Sequence, residues 1–213
     1  MKRRSVTNAL GQLVRVDEPD GSGNLGTVAS PIQPTSYSYN TLGSLVTVNQ
    51  GVQTRTFTYN SLSRLMSATN PESGTINYSY DNNGNLTSKT DARSITTSYT
   101  YDALNRVTQR SYSGETGYTT PAVNYFYDNL PNAKGKLTKV SNSISATEYT
   151  QFDPIGRITK SRQTTDGQSY DSEYVYNLSG MLVEQKYPSG RVVRNEIDVN
   201  GDLAVNIPVL LPI

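Results

Sequence analysis

Nine copies of one short motif are spaced along the chain, and no other feature constrains its fold as strongly. The fullest copy is YSYDNNGNL at residues 78–86, with Tyr80, Asp81 and Gly84 at its centre. YSYNTLGSL (37–45) carries Tyr39, Asn40 and Gly43, and FTYNSLSRL (57–65) carries Tyr59 and Asn60. YTYDALNRV (99–107) repeats the motif with Tyr101 and Asp102. YFYD (125–128) supplies Tyr127 and Asp128, followed by a stretched turn, NLPNAK, before Gly135. FDPIGRI (152–158) places Phe152, Asp153 and Gly156, and YVYNLSGML (174–182) places Tyr176, Asn177 and Gly180. Worn copies stand at TNALGQL (7–13) and IDVNGDL (197–203). From Tyr39 to Ile197 the interval is 20 to 26 residues.

Each copy reads as a β-hairpin. In INYSYD, Ile76, Tyr78 and Tyr80 alternate with Asn77, Ser79 and Asp81, the period of a strand with one more apolar face. Asp or Asn then opens a turn by bonding to the backbone two residues on, and a glycine accepts positive φ. That pattern suits a three-residue loop with a G1 bulge. Asn105 is a tolerable substitute for the glycine, whereas Ser63 predicts a different turn or local strain. Leu, Val or Ile begins the return strand in every copy. A second turn signal follows half a repeat later, at NPESG (70–74), TTDG (164–167) and YPSG (187–190). Two strands and two turns per repeat cannot bury a face alone and must stack edge to edge.

Composition agrees with a sheet and narrows the chemistry. The charged fraction is 17%, and sixteen tyrosines accompany abundant Thr and Ser, which suit a pleated, half-buried surface. A net charge of +1 with no long basic run argues against a nucleic-acid partner. Neither a signal peptide nor a membrane span is legible; the apolar LAVNIPVLLPI at the C-terminus is short, carries Pro208 and Pro212, and reads as a strand or a segment boundary. The chain has no Cys and no His, so the commonest zinc ligands, thiol nucleophile and general base are absent. No cofactor is expected.

The stretches YSYDNNGNL, YTYDALNRV and FDPIGRI resemble the YD repeat of the bacterial Rhs family, whose signature runs Tyr-Asp-x-x-Gly-Arg-Leu. The resemblance covers roughly residues 5–203. It implies an all-β fold, a repetitive antiparallel hairpin array forming an open or spiral sheet or part of a barrel-like shell. It also implies a structural, non-enzymatic role in a secreted or cell-surface protein. Related shells enclose a C-terminal toxin, and related barrels in animal teneurins act in adhesion. Family shells close with a segment around Asp-Pro-x-Gly-Leu, where an aspartate drives self-cleavage. Asp153-Pro154-Ile155-Gly156 is similar in outline, but it keeps the repeat register, is followed by Arg157-Ile158, and precedes two further copies; it reads as a turn.

A single array over 1–213 is therefore predicted, with a polar insertion at 17–35 and partners that are other YD segments meeting edge strands, a polypeptide cargo or a glycan. About eighteen strands at roughly 4.8 Å each would close into a ring of only about 27 Å, less than the span of a folded 100-residue cargo. Alone, such a segment walls off nothing so large. The alternative reading is a binding module in which exposed tyrosines stack on sugar; the plainer one is that the tyrosines pack on one another across strands. Asp20, Ser22 and Asn24 alternate as in a calcium loop, but Leu25 stands where that loop needs glycine and Pro31 where it needs a bidentate Glu. Arg64, Arg106, Lys136 and Arg157 follow the turn glycine position and are expected on a solvated edge, interrupted by Ser44, Asn85, Met181 and Asp202.

Overall fold

The computed structural model describes residues 2–198 and 200–209, with the backbone alone for 204–209. Among these residues the chain forms eighteen strands and no helix. Contacts divide it into two compact units, Met1–Ser98 with Ser113–Thr116, and Tyr99–Tyr112 with Gly117–Ile213.

In the first unit the strands are β1 (Arg4–Thr7), β2 (Leu13–Glu18), β3 (Gln33–Tyr39) and β4 (Leu45–Gln50). They continue as β5 (Gln53–Tyr59), β6 (Leu65–Asn70), β7 (Gly74–Tyr80), β8 (Leu86–Thr90) and the start of β9 (Thr96–Tyr101). Each pairs antiparallel with the next in sequence. The second unit holds β10 (Val107–Ser113) up to Tyr112, β11 (Val123–Tyr127), β12 (Leu137–Ser141), β13 (Ser145–Phe152) and β14 (Ile158–Thr165). It ends with β15 (Gln168–Tyr176), β16 (Leu182–Lys186), β17 (Val192–Ile197) and β18 (Leu203–Val209), again paired in chain order. Residues 210–213 of the apolar C-terminal stretch, and residue 199 of the DVNGD turn, lie outside the described residues.

The period-two pattern produces this arrangement directly. On β5, Phe57 and Tyr59 are half-buried while Thr56 and Thr58 are exposed; on β7, Tyr78 and Tyr80 are half-buried between exposed Asn77 and Ser79. Among the described residues the buried apolar side chains are Val16, Ala68, Ala133, Phe152 and Val193. Hairpins with one half-covered face take most of their stability from neighbour-to-neighbour contacts.

The motif sets the register. Tyr39 pairs with Leu45, Tyr59 with Leu65, Tyr80 with Leu86, Tyr127 with Leu137, Phe152 with Ile158 and Tyr176 with Leu182. In all of these but the stretched loop after Tyr127 the turn closes as predicted: Asn40 N–H donates to the Ser44 carbonyl at 2.9 Å and Gly43 N–H to the Asn40 carbonyl at 3.0 Å. The register then slips by one just beyond each of these pairs, as between Ser38 and Tyr39, a β-bulge additional to the G1 bulge predicted for the loop.

Ser63 resolves one question. It takes φ 59° and keeps the same two turn bonds at 3.0 Å, so the turn is unchanged and carries the strain. Gly84, at φ 90°, is the relaxed equivalent. Two more turns of this kind were hidden by the lack of a preceding tyrosine. Asp20 to Asn24 closes with bonds of 3.0 and 2.9 Å inside the loop between β2 and β3, and Asp91 to Ile95 joins β8 to β9 with bonds of 3.0 and 2.9 Å. The loop between β2 and β3 is shorter than 17–35, because Asp17, Glu18 and Gln33 to Thr35 belong to strands.

Relieving left-handed strain at Ser63 gains about 1–2 kcal/mol, and the extra freedom of glycine in the unfolded chain takes back about half of that. Ser63→Gly should therefore raise stability by about half a kcal/mol in urea unfolding. Gly84→Val should lower it by more than about 1 kcal/mol. An unchanged midpoint in both would refute the turn assignment.

Candidate functional site

In each unit the edge that carries the motif turns holds the side chains singled out in the sequence. Each turn opens on a carboxylate or carboxamide that caps its own loop. Asn40 Oδ1 accepts the N–H groups of Leu42 and Ser44 at 3.0 and 2.9 Å, and Asn60 Oδ1 those of Leu62 and Arg64 at 3.0 Å. Asp102 and Asp153 do the same for Leu104 and Arg106, and for Ile155 and Arg157. Asn177 Oδ1 takes Met181 N–H at 2.9 Å, and Asp81 Oδ1 takes Asn85 N–H at 2.8 Å. Asp128 is the exception: at φ 62° it spans its longer loop by accepting Gly135 N–H.

The tyrosines reach the other way, into the preceding repeat. The hydroxyl of Tyr39 donates to the Leu13 carbonyl at 2.8 Å, that of Tyr59 to Leu45 at 2.9 Å, and that of Tyr80 to Leu65 at 2.9 Å. In the second unit Tyr127 donates to Val107 at 3.0 Å. The acceptor in these four is the first residue of a return strand, two residues short of where pairing with the tyrosine's strand begins, so the ladder does not occupy its carbonyl. Phe152 has no hydroxyl and is instead 5% exposed.

The arginines are not a solvated edge, contrary to the sequence expectation. Arg64 lies 5.1 Å from the ring centroid of Tyr80, and its Nη1 donates to the Asp81 carbonyl at 2.9 Å. Arg106 sits 4.3 Å over Tyr127, bonding Asp102 through Nε at 2.7 Å and Asp128 through Nη2 at 2.6 Å. Arg157 sits 4.7 Å over Tyr176, bonds Asp153 through Nε at 2.5 Å, and donates to the Asn177 carbonyl at 3.2 Å. Each guanidinium thus spans from its own turn to the next repeat's aromatic ring and turn. A Cβ at Gly84 or Gly180 would lie 3.8 or 3.5 Å from the guanidinium of Arg64 or Arg157, so the turn glycines also leave room for this reach.

Charge follows geometry. The Arg106 guanidinium and then the Gly135 N–H hold the Asp128 carboxyl below the usual range. The backbone N–H of Arg106, opposed by burial and helped by the same guanidinium, does so for Asp102. At Asp153 burial pushes upward, and the backbone and side chain of Arg157 outweigh it. Arg106 is raised by Asp128 first and Asp102 second, while burial raises the Tyr127 and Tyr176 phenols.

The remaining sequence candidates are also accounted for by structure. Asp20 Oδ1 accepts Ser22 N–H, Ser22 O–H and Asn24 N–H at 2.9, 2.6 and 2.9 Å, forming a turn cap. DGSGNL at 20–25 matches DNNGNL at 81–86, a signal that could have revealed it. Asp17, fully buried, went unnoticed. It holds Arg4 at 2.6 Å and Arg15 at 2.8 Å, and these donate onward to the carbonyls of Gly26, Thr27 and Val28, docking the loop. Among the described residues no group of three His, Cys, Asp or Glu side chains could hold a metal, and no helix is long and apolar enough to cross a membrane.

Comparison with known proteins bears on the same edge. The RHS Repeat family matches residues 80–121, and the Teneurin YD-shell family matches residues 12–90. Two overlapping stretches, together residues 12–121, thus match YD/Rhs-repeat families. Several solved Tc toxin structures share the chain's fold. The crystal structure of TcdB2-TccC3 superposes with a TM-score of 0.76 at 13% identity, covering 97% of this chain and 12% of that one. The Photorhabdus luminescens Tc holotoxin pore, carrying a TccC3 mutation, gives 0.77 at 13% identity, covering 97% and 11%. TcdB2-TccC3 without its hypervariable C-terminal region gives 0.77 at 14%, covering 97% and 12%. The YD array described here thus spans between 11% and 12% of those chains. No curated protein matches it.

Two expectations follow from the turn edge. Tyr80→Phe removes one hydroxyl and leaves the Leu65 carbonyl without it, so urea unfolding should show a loss of about 1 kcal/mol, with the ring packing intact. The depressed carboxyls of Asp81, Asp102, Asp128 and Asp153 bind protons less readily folded than unfolded. Their contribution is complete above the unfolded value of about 4 and is lost as pH falls through the lower folded values. Urea midpoints measured from pH 6 down to pH 2.5 should fall below about pH 4, and Arg106→Gln should flatten that fall.

Proposed function

We propose that the chain is a structural wall segment of an Rhs-type secreted or surface protein, one continuous array that helps to enclose or present a polypeptide cargo and performs no catalysis. The observation that carries this reading is the use of the motif side chains. Tyr39, Tyr59, Tyr80 and Tyr127 give their hydroxyls to the preceding repeat, and Arg64, Arg106 and Arg157 reach the following one. Groups committed to joining repeats are not free to hold a substrate. The likeness to Tc toxin chains supports the same reading at the level of fold, and the shared repeat favours contact with further YD segments through strand edges.

The wall and the sugar-binding module separate experimentally. On a glycan array the chain should show no binding that depends on Tyr39, Tyr59, Tyr80 or Tyr127. A glycan retained by the intact chain and lost on Tyr59→Phe or Tyr80→Phe, with folding preserved by circular dichroism, would replace the wall with a binding module.

A further inference from the structure

β15 is the longest strand, nine residues, and its neighbour β16 has five. β14 covers β15 along its length, from the Thr165–Gln168 pair to the Lys160–Glu173 pair. On the other side, pairing with β16 begins only at Glu173, opposite Lys186. From Gln168 to Ser172 β15 therefore presents an open edge, where alternate residues direct unpaired N–H and C=O groups outward.

The turn after β16 stands off from this edge. It closes with Tyr187 N–H on the Arg191 carbonyl at 2.8 Å, and a cleft of about 490 Å³ lies between it and β15, lined by Tyr170, Tyr187, Pro188, Ser189 and Arg191. A second cleft of about 480 Å³ shares Tyr170, Tyr187 and Pro188 and adds Asp171, Glu173 and Lys186. These tyrosines differ from those of the motif. Tyr170 is 49% exposed and Tyr187 38%, and neither hydroxyl has a hydrogen bond among the described residues. The charges differ too. Asp171 is taken by Arg162, at 2.7 and 3.0 Å, and Glu173 faces Lys160 at 3.7 Å. Lys186, opposite Glu173 in the register, and Arg191 make no ion pair among the described residues; with Asp171 and Glu173 matched by Arg162 and Lys160 from β14, these are two unmatched cations at the clefts.

We propose that the open edge of β15 and the Tyr170–Tyr187 cleft dock an extended acidic peptide as an added strand. The strand edge supplies main-chain pairing, the two phenol rings and Pro188 supply apolar contact for alternate side chains, and Lys186 and Arg191 select carboxylates. This site lies outside the motif edge, so it stands or falls independently of the wall.

A fluorescein-labelled eight-residue peptide alternating glutamate with valine and threonine provides the probe, read by fluorescence anisotropy with the full chain. Saturable binding is expected, weakened at least tenfold by Tyr170→Ser and by Arg191→Glu, both exposed positions. Hydrogen exchange should slow at Gln168 to Ser172. N-methylation of alternate amides on one edge of the peptide should abolish binding, and on the other edge should not. No binding, equal affinity for the peptide with lysine in place of glutamate, or indifference to methylation of either edge would overturn the proposal. So would Tyr170-dependent binding of a cello-oligosaccharide in place of the peptide, which would make the cleft a sugar platform.

Discussion

A phenol hydroxyl donating to a backbone carbonyl one repeat upstream, at 2.8 to 3.0 Å, is the bond on which the rest of the array is arranged. It needs three things at once. Pairing between repeats must stop two residues short of Leu13, Leu45, Leu65 or Val107, leaving its carbonyl unclaimed by the ladder. A tyrosine must stand at the last position of the outgoing strand. The turn must then begin immediately, so that the next such carbonyl falls one repeat later. Shifting any of these by one residue would send the ring to the opposite face of the sheet.

With few buried apolar side chains, such joints have to carry what a core carries elsewhere. Each is modest: about 1 kcal/mol for a hydrogen bond, and about as much for a cation over a ring. Repetition compensates for the size of each term. At Arg106 one side chain ties together Asp102, Tyr127 and Asp128, two turns and a ring, so a single residue couples two hairpins. Stability in this design is a sum of intrinsic hairpin terms and nearest-neighbour joints.

The parts that depend on a few adjacent residues were legible in the sequence. Alternation at Ile76 to Asp81 gives the strand, and Asp81 with Gly84 gives the turn, because both are local choices of the backbone. What depends on stacking was not. Arg64 and Tyr80 lie on different hairpins, and only pairing in register shows that the guanidinium covers the next ring; with spacing alone, a solvated stripe was the natural reading. The second bulges, beyond the G1 bulge that the turn glycine marks, leave no compositional trace, and Leu45 looks the same whether or not its carbonyl is free. The turns at Asp20 and Asp91 were hidden for a different reason, the missing tyrosine, although their Asx caps are identical in kind. Asp17 was unreadable because Arg4 meets it only once β1 and β2 pair, and its neighbour Arg15 on β2 alone reads as an ordinary surface pair.

The joints have a direction. Tyr80 looks back to Leu65, and Arg64 looks forward to Tyr80 and Asp81, so both contacts between these repeats become available only when the later one exists. A chain leaving the ribosome would complete each hairpin's fastening as the following hairpin emerges, adding finished units from the N-terminal side in a vectorial zipper. At any moment the least secured hairpin would be the newest one, still sheltered near the exit site.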